Sequence, residues 1–405
     1  MNKKTQYELL APAGDLDKMK YALAYGADAV YLGLPAFSLR AKTGFDFASL
    51  KDGIAYAHKL KKKVYVTVNI FAHESHIKMM PKFLKQLAGC RPDAVILSDP
   101  GTLMLVKKHL PKTPIHLSTQ ANTLNSEAVK FWQKNGVKRI ILGREASLTD
   151  IKAIKKAVPK MELEVFVHGA MCMSYSGRCY LSSWLNNRSA NEGSCTQPCR
   201  WEYKLYMEEP LRPGVMMPIE DDDKGSYVLN SKDLCLLDYL SELKKAGVIS
   251  FKIEGRTKSV YYVSTVIRAY RLALDNLKNK AVMAEAKSEL DKIDSRGYTT
   301  GFLVPTDGVS RQNFQTSKAK SDWQFVGEVV GGDKQLEIAV HNVIKAGEEL
   351  ELLTPSDCYK IKRVKIFNVK GEELQEIHGG TKETYFIDAP TGLKAVFGLL
   401  RKKVF

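Results

Sequence analysis

Four of the chain's seven cysteines lie in one stretch, HGAMCMSYSGRCYLSSWLNNRSANEGSCTQPCRWEY, from His168 to Tyr203. Cys172, Cys179, Cys195 and Cys199 are spaced C-x6-C-x15-C-x3-C. Thiols gathered in this way can pair as disulfides, clamp zinc or hold an iron–sulfur cluster. Compartment bears on the first choice. No apolar run approaches the roughly 20 residues that cross a bilayer. The opening MNKKTQYELLAPAGDL has no apolar core or small-residue cleavage site behind its lysines. The expectation is a cytoplasmic protein without membrane association, in which clustered thiols bind metal or do redox work. Structural zinc sites are usually built on two C-x2–4-C knuckles, and only Cys195-x3-Cys199 approaches that spacing. Gly169, Gly177, Gly193 and Pro198 suit a loop wrapped closely around a compact group. The residues alone leave an iron–sulfur cluster, zinc and no metal all open.

A second group of polar residues sits at the ends of apolar runs. Strand alternation places Glu164, Phe166 and His168 on one face, and Lys252, Glu254 and Arg256 on one face of another run. If both sets point inward, two carboxylates, two cations and an imidazole share an interior where no charge stays unpaired. Arg256 is the natural carboxylate clamp because its fork bonds bidentately. His168 can shuttle a proton, and Glu254 completes a candidate catalytic set with His168 and Arg256. Gln120, Asn122, Arg144 and Lys252, together with Asn69, form a candidate binding rim for a small anionic substrate. The same residues can also form a structural salt-bridge lattice, for instance Glu164 with Lys252. Both alternatives stand.

These side chains need a frame. Seven apolar runs, YELLAPAG, AVYLG, KVYVTVN, AVILSD, IHLSTQ, RIILGRE and LEVFVHG, alternate with amphipathic segments through residue 169, and an eighth, SFKIEGR, follows a long interruption. Near-continuous apolar strands between helices indicate a parallel sheet covered on both faces. Eight such units predict an α/β fold of the (β/α)8 TIM-like barrel type rather than an open doubly wound sheet, whose G-x-G-x-x-G turn is absent after the first strand. The expected domains are a catalytic barrel over 1–280 with a cysteine-rich insertion after strand seven at about 170–233, a linker over 281–322, and a small all-β barrel over 323–405. An insertion after a strand's C-terminal end falls on the face where such barrels carry their active sites.

Charge divides along the same lines. Residues 323–405 carry 12 basic and 12 acidic side chains, whereas 1–322 carry 49 against 33, the whole net charge of +16. A basic excess confined to one domain is the footprint of a polyanionic partner, or of a lysine-rich soluble exterior.

EVFVHGAMCMSYSGRCYLSS resembles the signature of the collagenase-like peptidase family of unassigned catalytic type. LAPAGD, SDPG, LSTQAN, CRWEY, LNSKDL, KIEGRTKS and RGYTTGF follow in that family's order and extend the resemblance over nearly the whole chain. QAN, CRWEYK, IEGRTKSVYY and RGYTTGFL are most similar to the branch that hydroxylates the wobble uridine of tRNA to 5-hydroxyuridine. The resemblance implies a 4Fe–4S cluster on Cys172, Cys179, Cys195 and Cys199, with zinc as the alternative occupant. It also implies hydroxylation linked to prephenate rather than molecular oxygen, with tRNA, a small anionic co-substrate and an electron donor as partners. The segment between CRWEY and the SKDL that follows is shorter than in some members, which bears on the substrate-facing part of the insertion.

The family label names a peptidase, and a collagenase-like protease is the second functional expectation. HESH at His73–His76 has the wrong spacing for two zinc ligands on a helix, and no G-x-S-x-G elbow occurs. Cys172 with His168 is the only thiol–imidazole pair close in sequence to the site. A third expectation is an RNA-binding scaffold with a structural metal. Cys90, Cys235 and Cys358 are expected to be packing residues.

Overall fold

The structure, a computed structural model, describes residues 7–39, 44–203, 206–208, 210–218, 230–306, 311–313, 319–332, 335–380, 383–388 and 395–404. Residues 219–229 of the expected insertion, and 307–310 and 314–318 of the expected linker, lie outside the described residues.

Each apolar run forms a strand: β1 (Glu8–Pro12), β2 (Ala29–Gly33), β3 (Lys63–Val68), β4 (Ala94–Leu97), β5 (Ile115–Leu117), β6 (Arg139–Ile141), β7 (Glu162–Ala170) and β8 (Val248–Ile253). They are buried almost throughout, as strands covered on both faces must be. Successive strands pair in parallel, and β8 pairs with both β7 and β1. That double pairing closes an eight-stranded (β/α)8 barrel and rules out the open sheet.

Helices α1 (Leu16–Ala24), α2 (Phe47–Lys59), α3 (Glu74–Cys90), α4 (Pro100–His109), α5 (Ser126–Lys134) and α6 (Leu148–Ala157) follow the first six strands. Their starts are written locally. Asp46, Asp99, Asn125 and Ser147 each accept a backbone N–H of the first turn, and Pro100 sits where a helix needs no donor.

β7 is longer than the other barrel strands and continues past the barrel rim. Its last residues pair antiparallel with a short strand, Asp233–Cys235, which pairs in turn with Tyr298–Thr299. The chain between Ala170 and Asp233 is thus an excursion that leaves and returns beside the end of β7. Asp233 and Arg296 form a buried ion pair at the base of that return.

The chain divides into two compact units. The first comprises Met1–Met19, Asp28–Lys258 and Ser295–Ala319, and the second Lys20–Ala27, Ser259–Asp294 and Lys320–Phe405. Within the second, an eight-stranded antiparallel sheet runs from Cys358–Ile361 at one edge to Glu373–Leu374 at the other, and those edges do not pair among the described residues. It is the small all-β module expected, in the form of an antiparallel half-barrel. The helix Val260–Asp275 belongs to this unit: Tyr261 stacks on Phe325 with centroids 5.3 Å apart. Arg401, wholly buried, holds Glu289 at 2.9 Å and Glu351 at 2.8 Å.

Candidate active site at the mouth of the barrel

The barrel interior is polar in two tiers. In the lower tier, alternation turns Tyr65, Arg139, Glu164 and Ser250 inward, where they meet Glu8. Arg139 bonds Glu8, reaches Glu162 through Nε at 2.9 Å and Glu164 at 3.2 Å. The Tyr65 hydroxyl donates to Glu8 at 2.6 Å and Ser250 Oγ donates to it at 2.9 Å. Lys252 Nζ lies 2.9 Å from Glu164 and 4.2 Å from the Tyr31 ring centroid. Burial pushes the Glu8 carboxyl up, but Arg139, Tyr65 and Ser250 outweigh it and hold it below its ordinary value. Burial draws Lys252 below the ordinary lysine value against the pull of Glu164. This tier is a satisfied lattice, and it contains the Glu164–Lys252 pair.

The upper tier opens into a cavity of about 120 Å³. Arg256, at the end of β8, donates through Nη1 to Ser38 Oγ at 2.7 Å and Thr67 Oγ1 at 3.1 Å. Gly33 makes this possible, because a Cβ there would lie 2.1 Å from Ser38 Oγ and 2.5 Å from Thr67 Oγ1. Arg144 sits over Phe166, its guanidinium carbon 3.9 Å from the ring centroid, and reaches Glu254 at 3.4 Å. Asn69 Nδ2 bonds Ser118 Oγ at 3.3 Å and Gln120 Oε1 at 3.4 Å.

The cysteine loop lies over this tier. Gly169 takes φ +109° where a Cβ would meet the Glu254 carbonyl at 2.6 Å, so the departure from β7 requires glycine. A turn at Tyr175–Gly177 is pinned to the barrel rim: Ser176 N–H donates to Glu145 at 2.6 Å and its hydroxyl to Asn122 Oδ1 at 2.9 Å. Arg178 donates twice to the Gln120 carbonyl, at 2.9 and 2.7 Å. Asn191 accepts the Cys179 N–H at 3.1 Å, and Gln197 N–H points at Cys195 Sγ at 3.4 Å. Cys172, Cys179, Cys195 and Cys199 all line the cavity, with Gln120, Arg144, Phe166, Lys252, Glu254 and Arg256. Burial pushes the Cys199 thiol up; Arg200 opposes this, and the three other thiols add to it. None of the seven cysteines is in a disulfide.

Two of the expected residues do not line the cavity. Asn122, in the left-handed region at φ 57°, anchors the cysteine loop through Ser176. His168 is enclosed beside Tyr298, with centroids 5.6 Å apart. The strict alternation that would put His168 beside Glu164 and Phe166 breaks here, because the β7–β8 register slips between Phe166↔Lys252 and His168↔Ile253. Burial, with Lys258 nearby, lowers its pKa from the ordinary 6.5 to about 3. It is a neutral imidazole in the rim wall. Cys90, Cys235 and Cys358 lie outside the cavity.

The sequence held no signal for Ser38, Thr67 or Ser118, ordinary polar residues that become site residues only once their strands are neighbours. Tyr180, 81% exposed, was also missed; it stands beside Trp184 at 85% and, with Tyr175 and Trp201, gives the loop an exposed aromatic surface. Adjacent Cys179 and Leu181 face the cavity, so this surface borders its mouth.

A closed parallel barrel with a thiol-rich loop over its C-terminal mouth, followed by a β half-barrel, defines the class. Residues 14–313 match the model of Peptidase family U32 and residues 321–398 that of the Peptidase family U32 C-terminal domain. The chain belongs to peptidase family U32. Within the family it is 42% identical to the "tRNA hydroxylation protein P" of Escherichia coli K12, over 98% of this chain and 96% of the relative. It is 35% identical to the "23S rRNA 5-hydroxycytidine C2501 synthase" of the same organism, over 74% of this chain and 43% of the relative. It is 28% identical to a Porphyromonas gingivalis "Collagenase", over 93% of this chain and 92% of the relative. Among the described residues, no helix is long and apolar enough to cross a membrane.

Proposed function

We propose that this protein hydroxylates carbon 5 of the wobble uridine of tRNA, giving 5-hydroxyuridine, without molecular oxygen and in a reaction linked to prephenate. One observation carries the proposal: four thiols and the cations Arg144, Lys252 and Arg256 line a single cavity. Similarity to a tRNA hydroxylation protein along nearly the whole of both chains supports it, as does that to a synthase named for a 5-hydroxylated pyrimidine in rRNA. The basic excess of residues 1–322 favours a polyanion at this unit.

The donor set fits a cluster of several irons. Zinc, which four thiolates hold at about 2.3 Å from one point, is the alternative occupant. Four thiols spread around one cavity match a cubane, which takes one thiolate per iron. The Gln197 N–H aimed at Cys195 is the kind of bond that tunes a ligating sulfur. When bound, the cluster supplies electron transfer or substrate activation at the cavity wall.

The chain's own groups do the remaining work. Replacing C5–H by C5–OH oxidises the base by two electrons, so an oxygen source and a two-electron acceptor must accompany it. Arg256, held by Ser38 and Thr67, clamps a carboxylate of the small co-substrate. Lys252 and Arg144 add positive charge, and Glu254, steadied by Arg144, takes the proton that leaves C5. Exposed Tyr175, Tyr180, Trp184 and Trp201 give splayed anticodon-loop bases a stacking surface. Proteolysis through Cys172 and His168 lacks support: the imidazole is sealed in the wall and does not line the cavity that Cys172 lines.

The test is mass spectrometry of tRNA nucleosides from cells lacking the gene, complemented by the wild type or by Cys172→Ala. Restoration of 5-hydroxyuridine-derived nucleosides by the wild type alone is expected, with about four iron and four sulfide in protein purified without air. Unchanged nucleosides in the deletion strain would overturn the function. Stoichiometric zinc without sulfide would overturn the cluster.

A further inference from the structure

The cavity presents one hydrogen-bonding group whose polarity is dictated by a chain of partners. A backbone N–H can only donate, so the Leu39 N–H, 3.4 Å from Asn69 Oδ1, fixes which end of that amide is oxygen. Asn69 Nδ2 is then the end that faces Ser118 and Gln120, and it donates to Gln120 Oε1 at 3.4 Å. The Ser118 hydroxyl donates to the same oxygen. With Oε1 receiving two donors, the Gln120 amide turns Nε2 the other way, toward Gly177, whose Cβ position lies 3.9 Å from it. Leu39, Asn69, Ser118, Gln120 and Gly177 all line the cavity. Gln120 Nε2 has no hydrogen-bond partner among the described residues, and an amide nitrogen offers donors only. Two strand ends and the start of the chain after β5 thus cooperate to aim a donor, and not an acceptor, at whatever occupies the cavity.

We infer that Gln120 is a specificity-determining residue that selects a keto group on the target base, accepting uracil through O4 and disfavouring cytosine. This rests on the proposal that the cavity takes a pyrimidine of RNA. Uracil and cytosine differ at carbon 4, where one carries an acceptor oxygen and the other a donor amine. A donor fixed opposite that position bonds the first and faces an unpaired donor in the second. Asn69 and Ser118 are positioning residues that act through Gln120.

The experiment uses two anticodon stem-loop RNAs identical except for U or C at the target position. Their affinities are measured for protein purified without air, as wild type, Gln120→Glu and Gln120→Met. The wild type is expected to prefer U by about ten- to hundredfold, the usual discrimination of a good base contact. Gln120→Glu keeps one oxygen for Asn69 and Ser118 but turns an acceptor into the cavity, and its preference should invert toward C. Gln120→Met should bind both within about threefold, since it offers neither group. Unchanged denaturation midpoints separate these effects from misfolding, which moves both affinities together and not their ratio. A wild-type preference that survives in both variants would overturn the role of Gln120 alone. A wild type that binds neither RNA, with tRNA nucleosides unaffected by deletion, would overturn the pyrimidine site as well.

Discussion

Acidification from pH 7 to 4.5 should weaken the fold through His168 by roughly 2–3 kcal/mol. In the unfolded chain the imidazole titrates near 6.5, whereas in the folded protein burial lowers its pKa to about 3. Between those values the unfolded state binds the proton and the folded state does not, so stability falls as pH falls. Each unit of pH below 6.5 costs about 1.4 kcal/mol, and the loss levels off only near the folded pKa. Carboxylates add to any acid limb, so the measurement is a difference. Denaturant midpoints of the wild type and His168→Gln are followed across this range, and the gap between them should shift by that amount in favour of the variant. Histidine-selective NMR supplies the site-specific check: the signal missing in His168→Gln should not titrate between pH 7.5 and 4.5 in the wild type. A resonance that titrates near 6.5, or acid limbs that run parallel, would refute the claim that His168 is sealed and neutral.

Lys252→Met should destabilise the first unit by about 3 kcal/mol, because it strands the buried Glu164 carboxylate with Arg139 alone. Adding Glu164→Gln should recover most of that in a denaturation cycle, and no recovery would deny the pairing. Arg256→Lys should lower tRNA hydroxylation at least tenfold while leaving iron content and the unfolding midpoint unchanged, since a point charge cannot replace the fork. Loss of soluble protein would instead make Arg256 a structural member of the lattice. Trp184→Ala, at an exposed position, should weaken stem-loop RNA binding by about 1–3 kcal/mol without altering iron content. Equal affinity of variant and wild type would remove the loop's aromatic surface from RNA recognition.

The strands were legible because a parallel barrel buries both faces of each, which writes a run such as AVYLG with no polar break. Helix starts rest on contacts just as local, as Asp99-Pro100 and Ser147 cap through neighbours a few residues away. The four cysteines could be read as a set because one loop carries them all. What the sequence by itself determined is therefore whatever contacts of short range determine: the order of elements, the loop and its thiols. Closure was different, since β8 finds β1 across more than two hundred residues and only the completed curvature brings them together. Arg139 meeting Glu8, Glu164 meeting Lys252, and Arg256 resting on Ser38 and Thr67 all follow from that closure. So does the end of the Gln120 amide that faces the cavity, which Leu39 decides through Asn69. His168 shows the limit most plainly. Periodicity placed it with Glu164 and Phe166, but a one-residue slip against β8 moved it into the wall, because a side chain's face depends on its partner strand as well as on its own.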